Sequence, residues 1–155
     1  MTLPPVVIRK PRRKPMLKLP APHKPSFTGD TDTELLTGEV QGIKASMPEE
    51  RFANSLNKRN RLYEFRRTMG APRGLPGWFE LDFLVYVNGL GYPVEVDTAF
   101  THRDKQRADV LHDARVLQDL KRAGISTYPT VIHVDGESDL KDQETSNRTA
   151  VRIFG

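Results

Sequence analysis

The chain has no cysteine. That excludes a disulfide framework and thiolate zinc sites, and it fits a reducing compartment without requiring one. No apolar run approaches the ~20 residues needed to span a bilayer, so no membrane segment is expected. The N-terminus shows neither an apolar h-region nor a small-residue cleavage site, so no secretory signal is expected. No internal repeat is visible. Acid is missing from residues 1–29, which carry Arg9, Lys10, Arg12, Arg13, Lys14, Lys18 and Lys24. The net charge of +4 therefore belongs to this segment, because the remaining 17 Lys and Arg face all 20 Asp and Glu, a balance of −3.

The length of 155 residues suits one domain with a sizeable core. Seven of the 12 prolines fall within the first 25 residues. Proline fixes φ and removes a donor, so this stretch cannot form a helix or a central strand. It reads as an extended, polyproline-like basic arm, with residues 1–45 forming arm and linker and residues 46–155 forming the folded domain. Seven arm charges, Arg12, Arg13 and Lys14 among them, suit DNA phosphates with strong salt dependence. A solubilising tail, a peptide docking on protein partners and a nuclear-type basic signal are the other readings.

The domain opens with a helix at Ser46. Ser46 and Glu49 have capping-box spacing, and Pro48 sits in the first turn, where its missing N–H does no harm. Phe52, Leu56 and Leu62 mark its apolar stripe. Strands are expected over Tyr63–Arg67, Trp78–Val87 and the segment after Gly91, with a Pro/Gly loop at 71–77. A polar loop over Thr101–Arg107 leads into a helix ending at Ala123, with Val110, Leu111, Ala114, Leu117 and Leu120 on one side and Gly124 as its stop. A strand follows over Thr130–Val134, and the end of the chain reads as a helix followed by a short strand. This order predicts an α/β domain with a mixed sheet and helices on its faces.

The stretch Asp82–His102 carries the chemistry. It reads as a hairpin around Asn88-Gly89-Leu90-Gly91. Centred on Gly89-Leu90, the hairpin places Asp82 opposite Asp97 and Leu84 opposite Glu95. Period-2 alternation then gathers Asp82, Glu95 and Asp97 on one face and Phe83, Val85, Val94 and Val96 on the other. Like-charged carboxylates ~4 Å apart repel by roughly 4 kcal/mol per pair at an effective dielectric near 20. Protonation, a basic partner or a divalent cation relieves that, and oxygen-only ligands favour Mg2+, Mn2+ or Ca2+. Solvated strand-end acids are the plain alternative.

These residues resemble the PD-(D/E)XK nuclease superfamily, and within it the very-short-patch-repair endonuclease group. The resemblance spans roughly residues 46–135. It rests on the capped helix with Glu49 ahead of Phe52 and Leu56, on Asp82-Phe83, and on Glu95-Val96-Asp97 followed by Phe100 and His102. It continues in a helix with Asp109, Asp113, Leu117 and Leu120 before Gly124. It implies a restriction-endonuclease-like core and metal-dependent cleavage of DNA. Two departures stand out. The usual lysine two residues after the strand acid is Asp97, and a glycine common in repair-type relatives is Thr98.

The resemblance implies Asp82 and Glu95 as ligands of Mg2+ (or Mn2+). Asp97 would complete the shell or orient His102. Glu49 would hold a second metal or a bound water, although the capping box alone accounts for an acid there, and Glu50 is its substitute. His102 would be the general base or acid, with Lys105 as a stand-in for the missing lysine. Arg66, Arg67, Arg73, Arg103, Lys105 and Arg107 are candidate phosphate contacts, each against the plain reading of a solvated charge. His112 and His133 read as structural, and Trp78 as a core or loop anchor in preference to a wedge between bases. The expectation is a DNA endonuclease of a bacterial or phage-infected cytoplasm, organelle and nucleus left open. The alternative is an inactive nuclease-fold subunit that binds nucleic acid or assembles into a larger particle.

Overall fold

The computed structural model describes residues 35–98 and 106–155, with Thr2 alone from the first 34, and for 106–109 the backbone only. The arm expected over residues 1–29 and the polar loop expected from Thr101 lie outside the described residues. A short hairpin, β1 (Glu39–Val40) and β2 (Ile43–Lys44), precedes helix α1 (Met47–Lys58). Strands β3 (Leu62–Met69), β4 (Phe79–Val87) and β5 (Leu90–Asp97) follow, then α2 (Gln106–Arg122), β6 (Ile132–Asp135) and α3 (Gln143–Phe154). The result is an α/β domain with a mixed four-stranded sheet in the order β3-β4-β5-β6. The first two pairings are antiparallel and β5/β6 is parallel, joined through α2 as a parallel pair requires.

Helices cover both faces. Phe52 and Leu56 of α1 and Ala150 of α3 pack with Phe65, Phe83, Val85 and Val94. Val116 and Leu120 of α2 pack with Met69, Leu81 and Leu84. The capping box forms as expected: Ser46 Oγ accepts from the Glu49 N–H, and Glu49 Oε2 accepts from the Ser46 N–H at 2.8 Å. Gly124 ends the α2 segment with φ +77°. The packed body begins earlier than residue 46, because Val40 enters the core and Glu50 accepts from the backbone N–H groups of Thr37 and Gly38.

The β4/β5 turn is tighter than expected. Asn88 (φ +51°) and Gly89 (φ +78°) are its two central residues, and Val87 pairs with Leu90. Positive φ at both positions is the demand of a two-residue hairpin, which Asn-Gly meets and Gly-Leu does not. The register therefore shifts by two: Leu84 faces Pro93, and extension of the ladder brings Asp82 opposite Glu95 instead of Asp97. A two-residue shift preserves the faces. Phe83, Val85, Val94 and Val96 do share the α1/α3 side.

Strict alternation fails at one rung. On β4, Phe83 and Val85 face α1 while Leu81 and Leu84 both face α2. On β3, Phe65 faces α1 while Met69 faces α2. Both strands change face at the rung that joins Arg66 and Asp82, which the otherwise continuous β3/β4 pairing skips. Arg66 makes the turn possible with φ +50°. That left-handed conformation costs a residue with a side chain roughly 1–2 kcal/mol, so the surroundings must hold it.

Other expectations need correction. Leu62 is 75% exposed, because it starts the edge strand β3 instead of extending the α1 stripe. The sheet covers only the C-terminal part of α2, leaving Val110 (69%), Leu111 (70%) and Ala114 exposed while Val116 takes the buried place. No strand follows α3: the helix continues to Phe154, whose ring packs on Phe52 and Tyr92.

Candidate active site

The acid pair sits where β4 and β5 part. Their pairing stops at Phe83↔Val94. Beyond it, Asp82 Oδ2 accepts the Val96 N–H at 2.8 Å, so a side chain replaces the neighbouring strand as acceptor. The Asp82 and Glu95 carboxyls are within hydrogen-bonding reach of each other. Burial pushes the Asp82 carboxyl up to about 8. The charge of Glu95, the hydrogen bond to Glu95 and the charge of Glu49 push the same way, and the Val96 N–H opposes them. Protonation of Asp82 or a nearby cation relieves the repulsion between the two carboxyls.

Glu49 approaches from α1. Its placement comes from the capping box, which fixes the side chain at the first turn of the helix. Gly136 helps to set the distance between α1 and β5: its N–H donates to the Asp97 carbonyl at 2.7 Å, and a Cβ there would meet that oxygen at 3.1 Å and Pro48 at 3.3 Å. Arg66 Nη2 lies 3.3 Å from Glu49 Oε2, and its Nη1 lies 3.5 Å from Glu80 Oε2. Arg73 donates to the other oxygen of Glu80 at 2.8 Å and lies over the Trp78 ring.

Two histidines complete the polar cluster. His112 of α2 places Nε2 at 3.1 Å from Glu95 Oε1, with its ring edge against Phe79. His133 stands beside Glu95 in the β5/β6 register. Its Nδ1 lies 3.0 Å from Asp97 Oδ2 and its Nε2 lies 2.7 Å from Asp113 Oδ2. Burial pulls the His133 imidazole down, but Asp113 and Asp97 outweigh it and leave it above its ordinary value. Both ring nitrogens donate when the ring is protonated, which suits two carboxylate partners.

Glu95 and Glu49 are thus both brought within electrostatic reach of Asp82, with Arg66 against Glu49. Asp97 points elsewhere, to His133. Glu50 is held by Thr37 and Gly38 and does not substitute for Glu49. Arg67 pairs with Glu64, on which the Tyr86 hydroxyl also donates. His102, Arg103 and Lys105, and Arg12, Arg13 and Lys14 of the arm, lie outside the described residues, as does the Arg107 side chain. His112, expected to be structural, instead touches Glu95 of the cluster, while His133 bridges Asp97 and Asp113 beside it. The parallel register that sets His133 beside Glu95 depends on the α2 crossover, which no local pattern encodes.

Among the described residues, no three or more His, Asp and Glu side chains form a ready-made metal shell. The donor set still fits a hard divalent cation, since Mg2+ uses one or two carboxylates and fills its remaining positions with water and phosphate oxygens. Among the described residues no helix is long and apolar enough to cross a membrane. Comparison with known proteins gives no matching family model, no matching curated protein and no matching solved structure.

Proposed function

We propose that this chain is a metal-dependent endonuclease that hydrolyses phosphodiester bonds in DNA, built on a restriction-endonuclease-like core. The observation that carries this reading is the contact between Asp82 and Glu95 where β4 and β5 part, with Glu49 adding its charge from α1. The order helix, three antiparallel strands, helix, parallel strand agrees with that core. A bound Mg2+ or Mn2+ would supply a positioned water and stabilise charge on the phosphate.

Asp82 and Glu95 would hold the cation, and the Val96 N–H anchors one Asp82 oxygen. Glu49 completes the negative field. Asp97, in place of the usual lysine, holds His133 between itself and Asp113. Through His112, helix α2 fixes Glu95 Oε1. The basic N-terminal arm binds DNA phosphates without reading sequence.

A second reading is favoured by Asp97 itself: a nuclease-fold subunit without the lysine binds nucleic acid or a particle and does not cut. Incubation of supercoiled plasmid and branched DNA with Mg2+ or Mn2+ separates the two. The nuclease reading expects nicking or cutting by the parent protein and none by Asp82→Ala. Intact DNA across all substrates and both metals would leave the binding subunit.

A further inference from the structure

Helix α2 and the loop between β3 and β4 frame a cavity of about 210 Å³. Its lining includes Gly70, Gly77, Phe79, Arg115, Asp119 and Arg122. Both ends of the loop are tied to the helix. Asp119 Oδ2 accepts the Gly70 N–H at 3.1 Å, and Arg115 Nη2 donates to the Gly77 carbonyl at 3.2 Å. Gly70 has φ +75°, and a Cβ there would strike the Gly77 carbonyl, so the loop closes on itself only with glycine at this position. The cavity is therefore built into the fold, and its lining is net positive. Asp119 is the one acid among the lining residues, and the Gly70 N–H takes up one of its oxygens. Arg115 and Arg122 are exposed, and neither has a carboxylate partner among the described residues. Phe79 ties the cavity to the acid cluster. The Arg115 guanidinium lies over its ring, 4.9 Å from the centroid, and the His112 ring meets it edge-on at 5.3 Å. His112 in turn lies 3.1 Å from Glu95. A single aromatic ring is thus shared by the cavity's cation and the histidine on the acids.

We propose that this cavity seats a backbone phosphate of a DNA strand, held by Arg115 and Arg122. The identity of the strand rests on the DNA reading above, but the contact needs neither metal nor cleavage. A guanidinium is a planar fork whose N–H donors match phosphate oxygens in pairs. Arg115 and Arg122 stand two turns apart on α2 and so share one face of the helix. The helix dipole accounts for a cation in the last turn at Arg122, but not for Arg115 in mid-helix on the same cavity. A phosphate contact of this kind fixes the path of the strand and reads no base.

The test is binding of the full chain to a labelled DNA duplex, without metal, by fluorescence anisotropy over a salt series. Arg122→Gln is expected to weaken binding roughly tenfold, the loss of one charge-assisted bond. Its melting temperature stays at the parent value, because the side chain has no partner among the described residues to lose. The loss is the same on duplexes of different sequence. Arg115→Gln weakens binding to a similar degree, and the double variant lowers the slope of log affinity against log salt by about one, as a single lost phosphate requires. Asp119→Asn, which keeps an acceptor for the Gly70 N–H and removes the negative charge of the lining, binds DNA more tightly. Unchanged DNA affinity in Arg122→Gln would overturn the proposal, as would a parent that binds no DNA. Inorganic phosphate that binds the parent but not Arg122→Gln in calorimetry, with DNA affinity unchanged, would assign the cavity to a free phosphate instead. If Arg115→Gln does not fold, Arg122→Gln and Asp119→Asn decide the matter. A parent that cuts DNA and keeps its affinity in these variants retains the nuclease reading and loses this one. A parent that binds DNA through the two arginines and cuts none retains this one and loses the nuclease reading.

Discussion

Asp82 Oδ2 accepts the backbone N–H of Val96 at 2.8 Å, across the gap that opens just beyond the last strand pair, Phe83↔Val94. The bond anchors one carboxyl oxygen of Asp82. The carboxyl also contacts Glu95, so the strand opening and the acid cluster are one feature of the fold.

Replacing Asp82 with asparagine should therefore stabilise the fold while removing its proposed chemistry. The amide oxygen keeps the Val96 bond, the amide nitrogen donates to Glu95, and a buried like-charge contact disappears. We expect a melting temperature at least about 3 °C higher at pH 8, given 2–4 °C per kcal/mol for a chain of this size. Differential scanning calorimetry measures it, and a lower melting temperature would contradict the account. Stability gained where activity is lost is the signature of a site kept under repulsion.

The pH dependence follows with a definite sign. Folded Asp82 holds its proton to about pH 8, and unfolded Asp82 releases it near its ordinary value of 3.8. Between these values the folded state binds more protons, so unfolding free energy falls as pH rises. His133 acts in the same direction: its raised value contributes stability below the ordinary histidine range, and that stability is lost as pH rises through the folded value. Urea melts at pH 5 and pH 8 should show the weaker fold at pH 8. Millimolar Mg2+ should recover part of the loss in the parent and none in Asp82→Asn.

His133 links Asp97 to Asp113 across β5, β6 and α2. The ring is partly exposed, so solvent screening limits its worth to about 0.5–1 kcal/mol. His133→Ala should lose that amount at pH 6 and less at pH 8. Equal losses at both pH values would mean that the ring acts by packing alone.

Ser46→Ala should do two things at once. Removing the cap costs about 1 kcal/mol of stability. It also frees Glu49 from the reciprocal bond that orients it, so DNA cleavage should fall more than the stability change explains. A fall in stability with cleavage intact would separate Glu49 from the site.

Deletion of residues 1–29 removes seven positive charges and no negative ones. DNA affinity should drop at low salt, and the slope of log affinity against log salt should flatten. Fluorescence anisotropy with a labelled duplex reads both. An unchanged slope would assign the arm to a protein partner.

Local chemistry made parts of this fold legible in advance. Ser46, Pro48 and Glu49 announced a helix start because capping depends on residues three apart. Phe83, Val85, Val94 and Val96 announced a buried face because alternation is a local property. Asp82 and Glu95 were placed on one face by the same alternation, whereas Asp97, expected beside them, pairs with His133. The register was misplaced by two, because the choice between Asn88-Gly89 and Gly89-Leu90 rests on which residues accept positive φ. Val110 and Leu111 looked buried because helical periodicity cannot tell how far the sheet extends beneath the helix. His133, His112 and Arg66 were hidden for a deeper reason. Their partners come from the crossover and from a rung where both strands change face, and neither is written in any short window of sequence.

Titration of the parent protein with Mn2+, followed by loss of the free ion's paramagnetic resonance signal, tests the acid pair most directly. The account predicts that Mn2+ binds the parent and that Glu95→Gln and Asp82→Asn each abolish that binding while remaining folded. Equal binding by parent and variants, or none by the parent, would contradict it.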